Sequence, residues 1–408
     1  MSQAGLAVRV AEVFRTLPER YLGAEPGFDA TYHLRIGDIG RTWEVRCTTH
    51  GARVRSGATR RTPDVTIGTD GATWLALRDG RLSGIEAFSQ RRLYARGDLD
   101  LAVGFEGLFR RPDGRDPLLR IHHVPVRGLR ISTLTMGDGP DVLLLHGLGG
   151  AKSSFFDTAA ALSRGGYRVH ALDLPGFGGS TKPTLAPYGA PWFATAVCGV
   201  MDKLGIARAH MVGNSMGGRV ALEVGLARPE RIGGLALLSP AVAFVKRDWH
   251  PIVRLARPEL GFLPHSLGRA RIERQFWSLF ADRDLVDPSL ADIVIDEFER
   301  IYRSPGARLA FLASARAIYL ERPFGRGGFY PRLSELRRPA LFVWSSHDKL
   351  IPPSFRRHVE QWLPAAEHIV LDGCGHVPQV EMPERTNRLL ERFFARVDAL
   401  APAVGRAA

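Results

Sequence analysis

Residues 213 to 217 read Gly213-Asn214-Ser215-Met216-Gly217, between the apolar run His210-Met211-Val212 and a helix-like stretch from Gly218 to Leu226. This is the pattern of a nucleophile elbow, a serine raised on a sharp strand-to-helix turn. Small residues two before and two after the serine are needed because the turn brings neighbouring backbone close to them. A serine hydroxyl is a poor nucleophile until a base takes its proton, and that base needs a carboxylate to fix its tautomer and steady its charged form. Downstream, His376 lies in the loop Asp372-Gly373-Cys374-Gly375-His376, and Asp348 follows the apolar run Leu341-Trp344 by four residues. Asp372 competes for the acid role. Asp348 is preferred, because the end of a strand aims a side chain at a site, whereas Asp372 is placed to shape its own turn. The oxyanion of the transition state needs donors as well: the backbone N–H of Met216, at the start of the helix, and that of Leu148, in the loop His146-Gly147-Leu148-Gly149-Gly150. His146 is read as a support for that loop.

The elements that must hold these groups follow from periodicity. From residue 121 onward, apolar strand cores recur at Val142-Leu145, Val169-Leu172, His210-Val212, Leu235-Leu238, Leu341-Trp344 and Ile369-Leu371, with helix-length segments between most of them. Such alternation predicts a mostly parallel sheet covered on both faces. Residues 241–335 interrupt the rhythm with helical spacing at Ile272, Phe276, Leu279, Phe280 and at Val294, Phe298, Ile301, Tyr302, which predicts a helical insertion over the carboxyl edge of the sheet. Trp249, Phe262, Trp277, Phe298, Tyr302, Tyr319, Phe324 and Phe329 make this cap rich in aromatic surface, most of it expected to be the cap's own core; His265 and Arg316 lie in the same segment.

Earlier in the chain, residues 31–69 alternate as half-buried strands do, as in Trp43, Val45, Cys47, with helical patterns near Leu6–Leu17, Ala72–Asp79 and Leu99–Phe109. The polar stretch from Arg110 to Pro117, with two prolines and a glycine, reads as a linker. The expected organisation is a first domain over 1–112, a linker over 113–120, a second domain over 121–398 with its insertion at 241–335, and a flexible tail over 399–408.

Composition narrows the classes. The 408 residues are 45% hydrophobic, enough for two or three folded domains. The net charge of +13 is spread evenly, 19 basic against 15 acidic residues up to 120 and 36 against 27 beyond. Without a block of like charge, nucleic-acid binding is not expected, and membrane contact is peripheral at most. Cys47, Cys198 and Cys374 form no CxxC pair, so neither a disulfide framework nor a metal site is expected. No run of about 18 apolar residues spans a bilayer, and a cytoplasmic location is the expectation.

The order Ser215, Asp348, His376, with the His146 to Gly150 loop and Asp173-Leu174-Pro175-Gly176-Phe177-Gly178-Gly179-Ser180, resembles the α/β-hydrolase superfamily over roughly residues 121–398. The resemblance implies an α/β fold and a serine hydrolase with Ser215 as nucleophile, needing no metal or organic cofactor. Serine at 215 disfavours the epoxide hydrolase and haloalkane dehalogenase branches, which carry aspartate there. Gly213 to Gly218 with Cys374-Gly375-His376 also resembles hydrolases that cleave carbon-carbon bonds in ring-opened aromatic or steroid catabolites. Two positions depart from them: Val377 stands where they often have tryptophan, and residues 147–150 lack their Gly-Pro-Gly.

Residues 31–109 resemble the sterol carrier protein type 2 family, a small α+β lipid-binding fold. The resemblance is carried by Pro63-Asp64-Val65-Thr66-Ile67-Gly68, Trp74 to Gly80, and Ala95-Arg96-Gly97-Asp98-Leu99-Asp100-Leu101-Ala102. It implies a lipid held by the first domain, which would concentrate an acyl substrate near Ser215. The expected activity is hydrolysis of carboxylic esters of small lipophilic, lipid- or sterol-like substrates, with carbon-carbon bond hydrolysis second and a catalytically silent lipid-binding module third. Oligomeric state is left open.

Overall fold

The computed structural model describes residues 2–59, 62–246, 250–255, 257–262 and 268–400. By contact density the chain divides into a unit of Met1–His122 with Leu134–Gly137 and a unit of His123–Thr133 with Asp138–Ala408.

The first unit is built on strands β1 (Asp29–Ile36), β2 (Arg41–Thr48), β3 (Gly51–Ser56), β4 (Val65–Thr69) and β5 (Leu93–Gly97), in the order β3-β2-β1-β4-β5. β1 runs antiparallel to β2, setting Leu34 opposite Trp43, and parallel to β4. Strand alternation decides which face is covered: Trp43, Val45 and Cys47 are buried, while Arg46 between them is exposed. Against the buried face lie the helices Gln3–Thr16 and Gly71–Arg78, each started by a side-chain cap, Ser2 and Asp70. Phe14 stacks between Trp43 and Trp74, at centroid distances of 4.2 and 4.7 Å, so three rings fill the centre of this layer. The pattern near Leu99–Phe109 resolves into an α-helix Leu99–Gly104 followed by a 3-10 turn Phe105–Leu108. A further helix, Gly84–Ser89, escapes the sequence reading: six residues are too few to show a period, although Ser83 and Glu86 form a capping box.

The larger sheet has strands β6 (Leu119–Val126), β7 (Leu129–Met136), β8 (Asp141–Leu145), β9 (Arg168–Leu172), β10 (Ala209–Asn214), β11 (Ile232–Leu238), β12 (Ala340–Ser345) and β13 (Glu367–Leu371). Their order is β13-β12-β11-β10-β8-β9-β7-β6, and β8 to β13 pair in parallel. Every residue of β10, β11 and β12 is buried, as expected for strands covered on both faces. The chain leaves β8 for β9 on one side and returns to β10 on the other, which opens a crevice at the carboxyl ends of β8 and β10. Each apolar strand core read from the sequence lies in one of these strands, and the fold class is the expected α/β one.

Between β11 and β12 come the helices His250–Leu255, Arg269–Trp277, Pro288–Tyr302, Pro305–Leu320 and Phe329–Leu333. Trp249 and His265 lie outside the described residues. The last helix, Pro383–Leu400, reaches into the tail expected at 399–408, of which 401–408 also lie outside the description. No helix among the described residues is long and apolar enough to cross a membrane.

Candidate active site

Ser215 stands at the junction of β10 and the helix Met216–Ala227 with φ 51° and ψ −115°, a conformation costly for any residue with a side chain. It is held there by hydrogen bonds: its N–H donates to Leu238 O at 2.9 Å, and its carbonyl accepts from Ala241 N–H at 2.9 Å and Arg219 N–H at 3.1 Å. The glycines flanking it have no room for a side chain. A Cβ on Gly213 would lie 2.4 Å from Gly217 O, and one on Gly217 would lie 2.0 Å from Leu145 O.

His376 is buried, and its Nδ1 lies 2.7 Å from Asp348 Oδ2. The other oxygen of Asp348 accepts from Leu350 N–H and Ile351 N–H, at 2.8 and 2.9 Å. The carboxylate is therefore fixed by its own loop and must accept from the imidazole, which puts the proton on Nδ1 and leaves Nε2 bare to act as a base. Asp372 is exposed and takes Ser346 Oγ at 3.0 Å, while Gly373 N–H donates to that same hydroxyl. Its bond ties its turn to the loop after β12, where Ser346 lies, and not to His376. Asn214, next to the serine, donates from Nδ2 to His376 O and to Leu238 O, each at 3.1 Å, and so fastens the histidine loop to the elbow.

The loop after β8 is braced from two sides. Leu174 N–H donates to His146 Nε2 at 2.9 Å, so that nitrogen is unprotonated and Nδ1–H donates to Gly147 O at 2.7 Å. With both nitrogens engaged, and burial holding its pKa below the ordinary value, His146 supports the loop. Lys152 Nζ pairs with Asp173 Oδ2 at 2.7 Å in full burial, tying the same loop to the Asp173-to-Ser180 turn. Gly147 O also accepts from Gly150 N–H at 3.1 Å. In a trans peptide the C=O and the following N–H point opposite ways, so the N–H of Leu148 faces away from these donors. A Cβ on Gly147 would come within 3.2 Å of Ser215 Cβ, so this peptide borders the serine. The N–H of Met216 is the first of its helix and has no acceptor within it.

One residue of the site is missing from the sequence reading. Glu381 is buried, and its Oε1 accepts from Ala281 N–H and Asp282 N–H at 2.7 and 2.8 Å, while Oε2 accepts from Gly375 N–H at 2.6 Å. One oxygen thus holds the cap segment and the other the histidine loop, where His376 N–H also donates to Leu279 O at 2.6 Å. Its position five residues after His376 was the available signal, but the partners lie a hundred residues away. In Glu381→Gln one oxygen becomes an NH2 group facing N–H donors, and a charged hydrogen bond worth about 1.5–3 kcal/mol is lost. The expected result is a lowered urea midpoint and a roughly tenfold lower kcat, with Glu384→Gln, an exposed neighbour, unchanged in both.

Cap aromatic rings come down beside the loop after β8: a Cβ on Gly149 would meet Phe311 Cε2 at 2.9 Å and Phe298 Cε2 at 3.2 Å. Tyr302 stacks on Phe298 and contacts Phe311 edge-on. Arg219, on the elbow helix, pairs through Nε with Glu321 Oε2 at 2.9 Å, just beyond the cap helix Pro305–Leu320. Cys374 is buried, its thiol pushed up to about 12, and is no nucleophile at neutral pH.

Residues 142–389 match the model of the alpha/beta hydrolase family. The chain belongs to that family. Residues 23–110 match the SCP-2 sterol transfer family. A 2-hydroxymuconate semialdehyde hydrolase of Pseudomonas putida is 34% identical over 67% of this chain and 93% of its own length. A 2-hydroxy-6-oxo-6-phenylhexa-2,4-dienoate hydrolase of Burkholderia cepacia is 31% identical over 67% and 94%. A pimeloyl-[acyl-carrier protein] methyl ester esterase of Aeromonas hydrophila subsp. hydrophila is 27% identical over 65% and 99%. The hydrolase class is as expected. Of the two reactions, the more similar relatives carry the one ranked second from the sequence, carbon-carbon bond hydrolysis.

Proposed function

We propose that this hydrolase cleaves a carbon-carbon bond beside a ketone in a ring-fission product of the 2-hydroxy-6-oxo-dienoate type, with Ser215, His376 and Asp348 as the triad. The reading is carried by the Asp348–His376 pair, which leaves a bare imidazole nitrogen for the elbow serine, taken with relatives above 30% identity that act on such compounds. Ser215 Oγ adds to the ketone carbon as its proton passes to His376 Nε2. The N–H groups of Leu148 and Met216 receive the oxyanion. Breaking a carbon-carbon bond demands more than breaking an ester, because the leaving group departs as a carbanion. The 2-hydroxy-dienoate must first tautomerise to its 2-oxo form, the hydroxyl proton moving to C5; the pair released at C5 then delocalises through the C3–C4 double bond onto the 2-oxo oxygen, and the His376 imidazolium returns its proton to carbon. Water, deprotonated by His376, then hydrolyses the acyl-serine. Phe298, Tyr302 and Phe311 beside Gly149 offer an apolar wall for the ketone substituent.

Ester hydrolysis is the second reading, favoured by Val377 and the 147–150 loop, which depart from the pattern of carbon-carbon hydrolases, and by the sterol-transfer domain ahead of the site. An assay of the full chain separates them. A kcat/KM for a phenyl-substituted 2-hydroxy-6-oxo-dienoate at least about tenfold above that for nitrophenyl butyrate is expected, a difference of about 1.4 kcal/mol in transition-state binding. The reverse ranking would give the reaction to esters.

A further inference from the structure

Two stretches of the cap, residues 244–262 after β11 and 321–326 after the helix Pro305–Leu320, expose apolar and cationic side chains next to one another in the chain. Leu255 is 81% exposed and Phe262 45%, and Val245 and Phe324 are open to solvent as well. Among them stand Lys246, Arg254, Arg257, Arg322 and Arg326, all exposed. None of these five cations enters an ion pair among the described residues. The described part of the same stretches holds two acids, Glu259 and Glu321, and Glu321 is already taken by Arg219.

Contacts bring the stretches together. Arg308 Nε donates to Gly261 O at 2.8 Å, and Arg316 donates to Val253 O and Arg254 O at 3.2 and 2.9 Å. Tyr319 meets the Phe244 ring at 5.7 Å. Residues 308, 316 and 319 share one face of their helix, so the first stretch runs back along it, from Phe244 at the C-terminal end to Gly261 near the N-terminal end. At 1.5 Å per residue that run is about 16 Å long. Tyr330 ties in the second stretch: its hydroxyl donates to Ala243 O at 2.8 Å, and Phe324 stacks on its ring at 5.3 Å. Single exposed apolar residues are ordinary on any protein. A row of them interleaved with unpaired cations is the pattern of a segment that lies in a lipid interface.

We propose that this edge of the cap docks on an anionic lipid bilayer, with Val245, Leu255, Phe262 and Phe324 entering the acyl boundary and the five cations meeting lipid phosphates. Lysine and arginine stems are long enough to hold their charges at the headgroups while apolar neighbours sink deeper. An acidic protein surface would answer the charges but leave the apolar tips without a partner. The contact is peripheral, since no described helix is long and apolar enough to cross a membrane. A neighbouring face of the same helix carries Phe311, which approaches Gly149 in the loop after β8. Docking therefore brings the wall beside Ser215 to within about one helix width, ~10 Å, of the lipid. The assignment does not depend on which bond Ser215 breaks.

Co-sedimentation of the full chain with vesicles tests it. In about 20 mM salt, partitioning onto phosphatidylcholine vesicles with about 30% phosphatidylglycerol is expected to exceed that onto pure phosphatidylcholine at least about tenfold, and to fall several-fold at about 300 mM salt. Arg254→Gln and Arg257→Gln should each weaken it about fivefold, and Leu255→Asp about tenfold or more. All three change exposed side chains, so turnover of nitrophenyl butyrate in solution should stay within about twofold of the parent. Arg53→Gln with Arg55→Gln, exposed on β3 of the first unit, is the control and should leave partitioning unchanged. Sensitivity to the arginine changes with none to Leu255→Asp would give the surface to an acidic protein and overturn the membrane assignment. Loss in the β3 control with none in the cap variants, or no partitioning onto anionic vesicles, overturns it too.

Discussion

Alanine at Ser215 is expected to lower kcat by about 10⁶-fold on whichever substrate the full chain turns over, leaving about 10³–10⁴-fold over water from the oxyanion donors and binding. The geometry makes the loss specific to the reaction. The backbone of residue 215 is held by Leu238, Ala241 and Arg219, none of which bonds to the side chain, so alanine keeps the turn while removing only the attacking oxygen. KM and the melting temperature should therefore stay close to those of the parent, and labelling by a fluorophosphonate should vanish. A variant that keeps more than about a hundredth of the activity would remove Ser215 from the mechanism.

The second large effect is expected for Asp348→Asn. The carboxylate accepts on both oxygens, from Leu350 and Ile351 N–H on one and from the imidazole on the other. An asparagine has one acceptor. If its carbonyl stays with the two backbone donors, its NH2 must donate to His376 Nδ1, which drives the ring proton to Nε2, where it blocks the uptake of a proton from serine. If the amide turns over, the NH2 meets two N–H groups instead. The first arrangement costs less, so the protein folds and kcat falls by about 10⁴-fold. Asp372→Asn, on the competing acid, should change kcat by less than about threefold, since its carboxylate takes the Ser346 hydroxyl of the loop after β12 and not His376.

The fold class, the strand cores and the residues now brought together at the elbow were legible because they depend on local signals. Glycine is demanded at 213 and 217 by contacts of 2.4 and 2.0 Å that the turn itself creates, and Asp348 and His376 sit just beyond strand ends that their apolar runs announce. The strand-end argument prefers Asp348 to Asp372, and the structure separates them by partner: His376 lies on Asp348, the Ser346 hydroxyl on Asp372. Glu381 was hidden because its meaning lies in Ala281 and Asp282, distant in the chain. The cap rings could be counted but not placed, and Phe298 and Phe311 turn out to border Gly149 while Phe324 and Phe262 are exposed. In the first unit, Arg78 reads as the ordinary basic end of a helix. Only the tertiary arrangement buries it against Trp74 and Phe109 with its Nε unpaired.

The cap between Asp282 and Glu321 is pinned at both ends: to the histidine loop through the Glu381 carboxylate, and to the elbow helix through Arg219. An arch fixed at two feet moves by flexing its span. On the proposed reaction, a substrate entering under this span bends the helices that carry Phe298 and Phe311, and the residues that admit it are then the ones expected to lie against it. Selection at the doorway and selection in the pocket become one property, so a change at either ring alters the rate of entry together with the preference for what enters.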